Sequence, residues 1–209
     1  MYALLRKAKL ALPSAAEEAA RRVREGAVPT LRAQPGFLLY LSFLSESREA
    51  VGISLFDDWE AAHAALGRLR ERAETSMTDL TQGDPEVRCG MVLRHLLPPP
   101  NVGIGWEEAL FVTVREYRAA APSEEMVPLL SEHVMPVMER HPGFRGFWTF
   151  LDARASEPVV AVSLWANRGV AFAAHERVLE VMATLRDVFP TMPTITAGAA
   201  RVVAASRLS

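Results

Sequence analysis

Two histidines and two arginines of this 209-residue chain are the side chains best suited to acid–base and anion chemistry. His63 and His175 fall in segments predicted to be helices, and Arg6 and Arg115 fall at matching places in predicted strands. A histidine titrates near neutral pH and can act as a general base, whereas an arginine can stabilise an oxyanion. Aromatic side chains suited to the walls of a pocket accompany them: Tyr40, Tyr117, Trp59, Trp148 and Trp165. Such a set could deprotonate an acidic phenol or enol and hold the resulting anion.

We therefore predict that His175 and Arg115 are catalytic, and that six further residues line a ligand site: Tyr117, Trp148, Trp165, Tyr40, Arg6 and His63. Structural interpretations of the same residues stay open. A histidine on an alanine-rich helix commonly packs or faces solvent, and a tryptophan in a strand is commonly a core residue. An arginine buried in a strand needs an anionic ligand or a carboxylate partner, because an unpaired buried charge is costly.

An internal repeat relates the candidate residues of the first half of the chain to those of the second half. The segment QPGFLLYL, residues 34–41, reappears as HPGFRGFW, residues 141–148, at an offset of 107 residues. An earlier proline, Pro29 or Pro136, precedes each Pro-Gly by six residues, and VGISLF matches VAVSLW at an offset of 109. Self-similarity over this length indicates two copies of one structural unit.

Each copy is predicted to fold as βαββαβ. Its first helix follows Ser14 or Ser123, is kinked or restarted at Pro29 or Pro136, and ends at the Pro-Gly turn. Its last strand is predicted at 87–95 or 194–205. This order is the ferredoxin-like arrangement, in which two helices cover one face of an antiparallel sheet. We predict a first repeat at residues 1–97, a stiff proline-rich linker at 98–106 and a second repeat at 107–209.

Alternation along the strands of the second repeat sorts its side chains onto two faces. Leu110, Val112 and Val114 are predicted to face the helices, and the other face then carries four residues: Phe111, Thr113, Arg115 and Tyr117. In the next strand, one face is predicted to carry Phe144, Trp148 and Phe150. Because both faces hold large apolar groups, we expect the two sheets to cover one another as a barrel with an interior cavity.

These motifs resemble a known family. The stretches AQPGFLLYL and RHPGFRGFW, followed by SLFDDWEAAHAAL and SLWANRGVAFAAH, are similar to the antibiotic-biosynthesis-monooxygenase-like domains of the dimeric α/β-barrel superfamily. The resemblance covers nearly the whole chain and implies an α+β fold of two ferredoxin-like repeats packed sheet to sheet as a pseudo-dimer. It also implies a cofactor-independent monooxygenase that acts on a small aromatic or quinol-type compound in a cavity of the barrel, between sheet and helix.

The alternative function is a non-catalytic small-molecule-binding or stress-related module of the same fold. Haem is a minor alternative cofactor, because the haem-degrading branch of the superfamily uses an asparagine in the first strand. Neither YALLRKAKL nor ALFVTVREY contains one. We therefore expect no cofactor. We also expect no metal site, since the sequence holds no His-Glu-x-x-His or Cys-x-x-Cys motif.

Composition limits the partners and the location. The formal charge of −2, from 23 basic and 25 acidic residues, gives no field that would collect nucleic acid or anionic lipid. No apolar stretch reaches the roughly 20 residues needed to cross a bilayer, and the first residues make a poor signal peptide. The single cysteine, Cys89, suits a reducing compartment. We expect a cytoplasmic intrachain pseudo-dimer that binds a small aromatic ligand, with further self-association left open.

Overall fold

The computed structural model describes residues 1–97, 109–118, 123–153 and 159–206. The proline-rich linker predicted at 98–106 lies outside the described residues. The linker and the domain limits at 97 and 107 therefore stay predictions. The described chain contains eight strands: β1 (Tyr2–Leu10), β2 (Phe37–Leu44), β3 (Glu49–Phe56), β4 (Thr81–Leu96), β5 (Phe111–Tyr117), β6 (Phe144–Leu151), β7 (Val159–Trp165) and β8 (Thr194–Ala205).

The helices follow the predicted βαββαβ order in each repeat. They are α1 (Ala15–Arg22), α2 (Val28–Arg32), α3 (Trp59–Ser76), α4 (Ser123–Leu129), α5 (Met135–Glu139) and α6 (Arg168–Met182). A π-helical turn joins α1 to α2 and another joins α4 to α5. Pro29 and Pro136 are the second residues of the helices that follow these turns. A proline lacks the N–H that would continue the α-helical ladder, so the predicted restart of the helix at these prolines is confirmed.

The repeated Pro-Gly marks the same turn in both repeats. Gly36 and Gly143 have φ angles of 72° and 84°, in the left-handed region that glycine adopts without a steric cost. The carbonyl of Gly36 accepts a hydrogen bond from Asp57 N at 2.9 Å, and that of Gly143 accepts one from Ala166 N at 2.8 Å. The turn is thereby hydrogen-bonded to the residue that follows the third strand of its repeat. The Pro-Gly motif therefore has the same structural role in both repeats.

Two compact units divide the chain. The first is Met1–Met91 with the chain from Ala200 onward, and it pairs β4 with β1, β1 with β3, β3 with β2, and β2 with the end of β8. The second is Val92–Ala199, and it pairs β8 with β5, β5 with β7, β7 with β6, and β6 with the end of β4. All pairs are antiparallel, and the strand order is closed: β1-β3-β2-β8-β5-β7-β6-β4.

The repeat has the same register in both units. Arg6 of β1 lies opposite Gly52 of β3, and Arg115 of β5 lies opposite Ala161 of β7, which preserves the offset of 109 found in the sequence. The pairs on either side of these agree with it as well. Positions in the two units can therefore be compared residue by residue.

The predicted orientation of the second sheet was wrong. Its alternation is as expected, but Phe111 and Tyr117 belong to the core that contains Met126 of α4 and Val178 of α6. The face with Thr113 and Arg115 is therefore the face under the helices. Helix α6 presents small side chains there, including Ala171 and Ala174, and these leave depth for aromatic rings. Both faces are apolar, so apolar content could not decide between them.

Phe144 also lies on a different face from the one predicted. The register of β6 against β7 shifts between Phe144, which lies opposite Trp165, and Gly146, which lies opposite Leu164. One extra residue in β6 therefore turns Phe144 toward the helices, where its ring centroid lies 5.5 Å from that of Trp165. Trp148 keeps the opposite face. Among the described residues, none of the helices has the length and apolar character required to span a membrane.

Candidate functional site

Arg115 is the centre of a polar cluster under the helices of the second unit. Its side chain is 1% exposed. The Nη1 atom donates hydrogen bonds to Thr113 Oγ1 at 3.1 Å and to Ser163 Oγ at 3.2 Å. The Nε and Nη2 atoms are buried and have no hydrogen-bond partner among the described residues. Buried arginine nitrogens normally have partners, so this guanidinium is only partly satisfied by the protein.

The charge of Arg115 is also unbalanced. Burial lowers the pKa of its guanidinium, and the neighbouring Tyr117 opposes this shift. No carboxylate of the described residues forms an ion pair with it. A buried cation without a counter-charge is destabilising, so this cluster carries a charge that the described residues do not balance with an ion pair.

Thr113 and Ser163 hold the guanidinium in place. Thr113 Oγ1 accepts a second hydrogen bond from Trp165 Nε1 at 3.3 Å, and Ser163 Oγ donates to Met138 Sδ at 3.7 Å. The two hydroxyls thus connect Arg115 to an aromatic ring of β7 and to helix α5. A side chain fixed at two points keeps its remaining N–H groups, those on Nε and Nη2, in one direction.

Arg115 shares a row of the sheet with Thr149, a second buried polar residue. Arg115, Ala161 and Thr149 lie side by side on β5, β7 and β6. The hydroxyl of Thr149 is buried and has no hydrogen-bond partner within the ranges that the structure describes. Ala161, which lies between the two polar side chains, belongs to the buried core of this unit.

His175 lies on helix α6 and is close enough to Arg115 for its pKa to be affected by the guanidinium charge. Asn167 Oδ1 caps this helix by accepting a hydrogen bond from Val170 N at 3.0 Å, and the helix packs against β5 and β7 through Ala171 and Ala174. His175 is half-buried, and no described residue forms a hydrogen bond with its Nδ1 atom. Burial lowers the pKa of His175, and the charge of Arg115 lowers it further. The imidazole is therefore neutral at pH 7 and able to accept a proton.

Two aromatic side chains complete the cluster. Tyr117 is buried, and burial raises the pKa of its phenol although the charge of Arg115 opposes this. Trp165 is fully buried, with the rings of Phe144 and His141 at 5.5 Å and 6.0 Å between centroids. Four of the residues predicted from the sequence are thus brought together: Arg115, Tyr117, Trp165 and His175.

The other predicted residues lie elsewhere. Trp148 is on the opposite face of the second sheet, where its buried indole Nε1 has no hydrogen-bond partner among the residues described. Arg6 and Tyr40 belong to the first unit, in which the Tyr40 hydroxyl lies over Gly52. His63 is exposed and stacks on Trp59, with ring centroids 5.6 Å apart.

Sequence reasoning left Thr149 and Ser163 out of the site, and it placed Thr113 only on a face of the sheet. The signal that finds them is the period of two: Thr113 is two residues from Arg115, and Ser163 is two residues from Trp165. Their partnership with the guanidinium required the pairing of β5 with β7, which the sequence does not show directly.

The first unit carries an incomplete version of the cluster. The offset of 109 relates five residues of the second unit, Thr113, Arg115, Ser163, Trp165 and His175, to Leu4, Arg6, Ser54, Phe56 and Leu66. The arginine and the serine are kept, whereas the threonine, tryptophan and histidine are replaced by apolar residues. Burial lowers the pKa of Arg6, but Tyr40 and Glu74 oppose this shift, so Arg6 has an acidic neighbour.

Comparison with known proteins shows the fold. No protein-family model matches the chain, and no curated protein matches it. A solved structure of a protein provisionally named a monooxygenase, from Lactobacillus acidophilus NCFM, has a TM-score of 0.73 at 11% identity and covers 98% of this chain and 95% of its own. A second with the same provisional name, from Fusobacterium nucleatum, has a TM-score of 0.71 at 8% identity, with 99% and 98% covered.

A third solved structure is that of an anthrone oxidase-like protein, with a TM-score of 0.65 at 13% identity that covers 98% of this chain and 93% of its own. Identities this low establish architecture, because one fold supports many functions. The chain therefore has the dimeric α/β-barrel fold of these monooxygenase-like proteins, built from two ferredoxin-like repeats in one polypeptide.

Proposed function

We propose that the second unit binds the anion of an acidic phenol or enol, in a small aromatic or quinol-type compound, and catalyses its oxygenation without a cofactor. The observation that carries this proposal is the buried guanidinium of Arg115, whose Nε and Nη2 atoms have no hydrogen-bond partner in the described part of the chain. An oxyanion of the substrate supplies the missing acceptor and the missing charge.

Each residue then has a distinct role. Neutral His175 accepts the proton of the substrate through an unpaired ring nitrogen, and its lowered pKa keeps it available as a base at pH 7. Arg115 stabilises the anion, while Thr113 and Ser163 position Arg115. Tyr117 and Trp165 provide aromatic surface for the rings of the substrate.

The reaction needs no external reductant when the substrate has an activated methylene group. Deprotonation gives a carbanion whose charge is delocalised onto oxygen. The carbanion transfers an electron to dioxygen, and the resulting radicals combine to a peroxide with a new C–O bond. Loss of water from the peroxide leaves a carbonyl, so one oxygen atom enters the product, the other leaves as water, and the methylene supplies all four electrons.

Oxygen consumption tests the proposal. Wild-type protein is mixed with anthrone, with 1,8-dihydroxyanthrone and with a panel of quinols, and the rate is compared with that of the spontaneous reaction. We expect catalysed consumption of one dioxygen per anthrone without hydrogen peroxide release, and its loss in His175→Leu and in Arg115→Met. Leucine stands at the equivalent position 66 of the first unit, so the histidine variant is expected to fold. No acceleration with any substrate would contradict the proposal.

A non-catalytic binding module is the second candidate. The observation in its favour is the burial of the cluster: Arg115, Tyr117 and Trp165 are each at most 2% exposed. A turnover site must admit its substrate, whereas a ligand that is held permanently can be enclosed during folding. Mass spectrometry of the native protein separates the two, because a module of this kind carries a stoichiometric bound compound that persists through purification.

A further inference from the structure

The hydrogen bonds of Arg115 select one edge of its guanidinium. A guanidinium has five N–H groups in a fixed plane. The two on Nη1 point to Thr113 and Ser163, which leaves one on Nε and two on Nη2. The Nε–H and one Nη2–H are parallel and lie on the same edge. This is the edge that binds a planar pair of oxygens through two parallel hydrogen bonds.

The protein itself does not fill this edge. The partners of Nη1 are neutral hydroxyls, so they orient the guanidinium without neutralising it. Tyr117, which also lies near the charge, has a pKa raised by burial and stays a neutral phenol. The free edge therefore carries the positive charge of the side chain together with two aligned donors.

We infer that Arg115 binds its ligand through two coplanar oxygens that share one negative charge, one accepting from Nε and the other from Nη2. This inference rests on the proposed function, which places the anion of the substrate at Arg115. Two kinds of group have this chemistry: a carboxylate, and the enolate or phenolate of a ring whose neighbouring or peri position carries a second oxygen. A phenolate with a single oxygen fills only half of the edge.

Thr149 adds a second requirement. Its unpaired hydroxyl lies across Ala161 from Arg115, two strands away at about 10 Å between backbones. A flat ligand that places its oxygen pair on Arg115 and continues along this row of the sheet extends toward Thr149. The ligand class that follows is a planar aromatic with two coplanar oxygens at one end and a further polar group toward the other.

Binding of stable naphthalene probes tests the inference without turnover. The probes are 1-hydroxy-2-naphthoate, which carries a carboxylate, 1-hydroxy-2-acetonaphthone, which forms a chelating oxygen pair, and 1-naphthol, which has a single oxygen. Calorimetric titration at about pH 8 gives each dissociation constant. We expect at least one two-oxygen probe to bind about tenfold more tightly than 1-naphthol. Preference for the naphthoate alone identifies a carboxylate, and equal preference for the acetonaphthone identifies the chelating pair.

Arg115→Lys is the decisive variant, because lysine keeps the charge but lacks the fork. We expect the preference for two oxygens to fall to about threefold or less in Arg115→Lys and to persist in the matched control Arg6→Lys. Equal binding of all probes to wild type, no binding of any probe, or a preference that survives in Arg115→Lys overturns the inference.

The outcomes separate this inference from the proposed function. Protein that shows the two-oxygen preference but does not accelerate oxygen consumption contradicts the proposed oxygenase activity alone. Protein that oxidises anthrone as fast as 1,8-dihydroxyanthrone, with no preference among the naphthalene probes, contradicts the oxygen-pair inference alone.

Discussion

The guanidinium of Arg115 lies 3.1 Å from the hydroxyl of Thr113, whereas the equivalent arginine of the first unit, Arg6, has Leu4 in the place of that threonine. One chain thus contains the same arginine twice, once with two hydroxyls that orient it and once beside an apolar residue. The difference gives every variant of the second unit an internal reference, because the first unit shows which residues the fold accepts at each position.

Replacing Thr113 by valine tests its positioning role. The variant keeps the shape but removes an acceptor shared by Arg115 Nη1 and Trp165 Nε1. We expect the free energy of unfolding to fall by about 1–3 kcal/mol, since buried donors lose their partner. Urea denaturation measures it. Thr113→Ser, which retains the hydroxyl, should recover most of the loss, and a valine variant as stable as wild type would show that the bonds contribute nothing.

Replacing Arg115 by methionine should stabilise the ligand-free protein. The change removes a buried charge without a carboxylate partner among the described residues, so we expect a gain of about 1–3 kcal/mol in the free energy of unfolding, together with loss of ligand binding. Denaturation curves of the variant and of wild type measure the first effect. Arg6→Met serves as control, because Arg6 is partly exposed and has Glu74 nearby. A large loss of stability in Arg115→Met would reveal an internal counter-charge and contradict an anion site.

Stability should depend on pH through His175. The pKa of His175 is lowered in the folded protein, whereas in the unfolded chain it is about 6.5. Between these two values the unfolded state binds more protons, so the free energy of unfolding falls as the pH drops through this window and is unaffected above about pH 7. We expect His175→Leu to lose less stability than wild type between about pH 7.5 and pH 5.

The matched control for this pH effect is His63→Leu. His63 is exposed and stacks on Trp59 at the surface of the first unit. If His175→Leu and wild type lose the same stability on acidification, His175 does not titrate as the buried cluster requires.

Trp165 should report ligand binding. It donates to Thr113 and lies in the same core as Tyr117, so a ligand bound at Arg115 is expected to change its fluorescence. Trp165→Phe should abolish this change and still fold, because phenylalanine is the equivalent residue, Phe56, in the first unit. Trp59→Phe is the control and should retain the change. A signal that persists unaltered in Trp165→Phe places the ligand elsewhere.

Repetition made much of the fold predictable from the sequence. The doubled Pro-Gly, the two earlier prolines and the offset of 109 predicted the order βαββαβ. They also correctly identified Arg6 and Arg115 as equivalent positions of the two repeats. These features are local or periodic. Their physical causes, a missing N–H and a positive φ, act within a few residues of the motif.

Features that depend on packing were not predictable. Alternation separated Thr113 and Arg115 from Val112 and Val114, but it could not say which face the helices cover, because that depends on the depth left by the alanines of α6. The extra residue in β6 that turns Phe144 has no sequence signal.

The start of β4 was also missed. It begins at Thr81 rather than residue 87, since Thr81 and Gln82 pair with Leu10 and Lys9 after a shift in register. In the sequence, the consecutive glycine, aspartate and proline at residues 83–85 resemble a turn. Gly83 does have a positive φ, of 67°, but the strand continues through it.

The most direct test of the account is the proton resonance of the Arg115 Nε–H group, observed by ¹H–¹⁵N correlation and assigned by its absence in Arg115→Lys. Titration with 1-hydroxy-2-naphthoate should shift this resonance downfield, because the unpaired Nε–H acquires an anionic acceptor. Resonances of Arg6 should stay in place. Saturating binding of the naphthoate that leaves the Arg115 Nε–H resonance unchanged would contradict the central claim that the free edge of this guanidinium is the anion site.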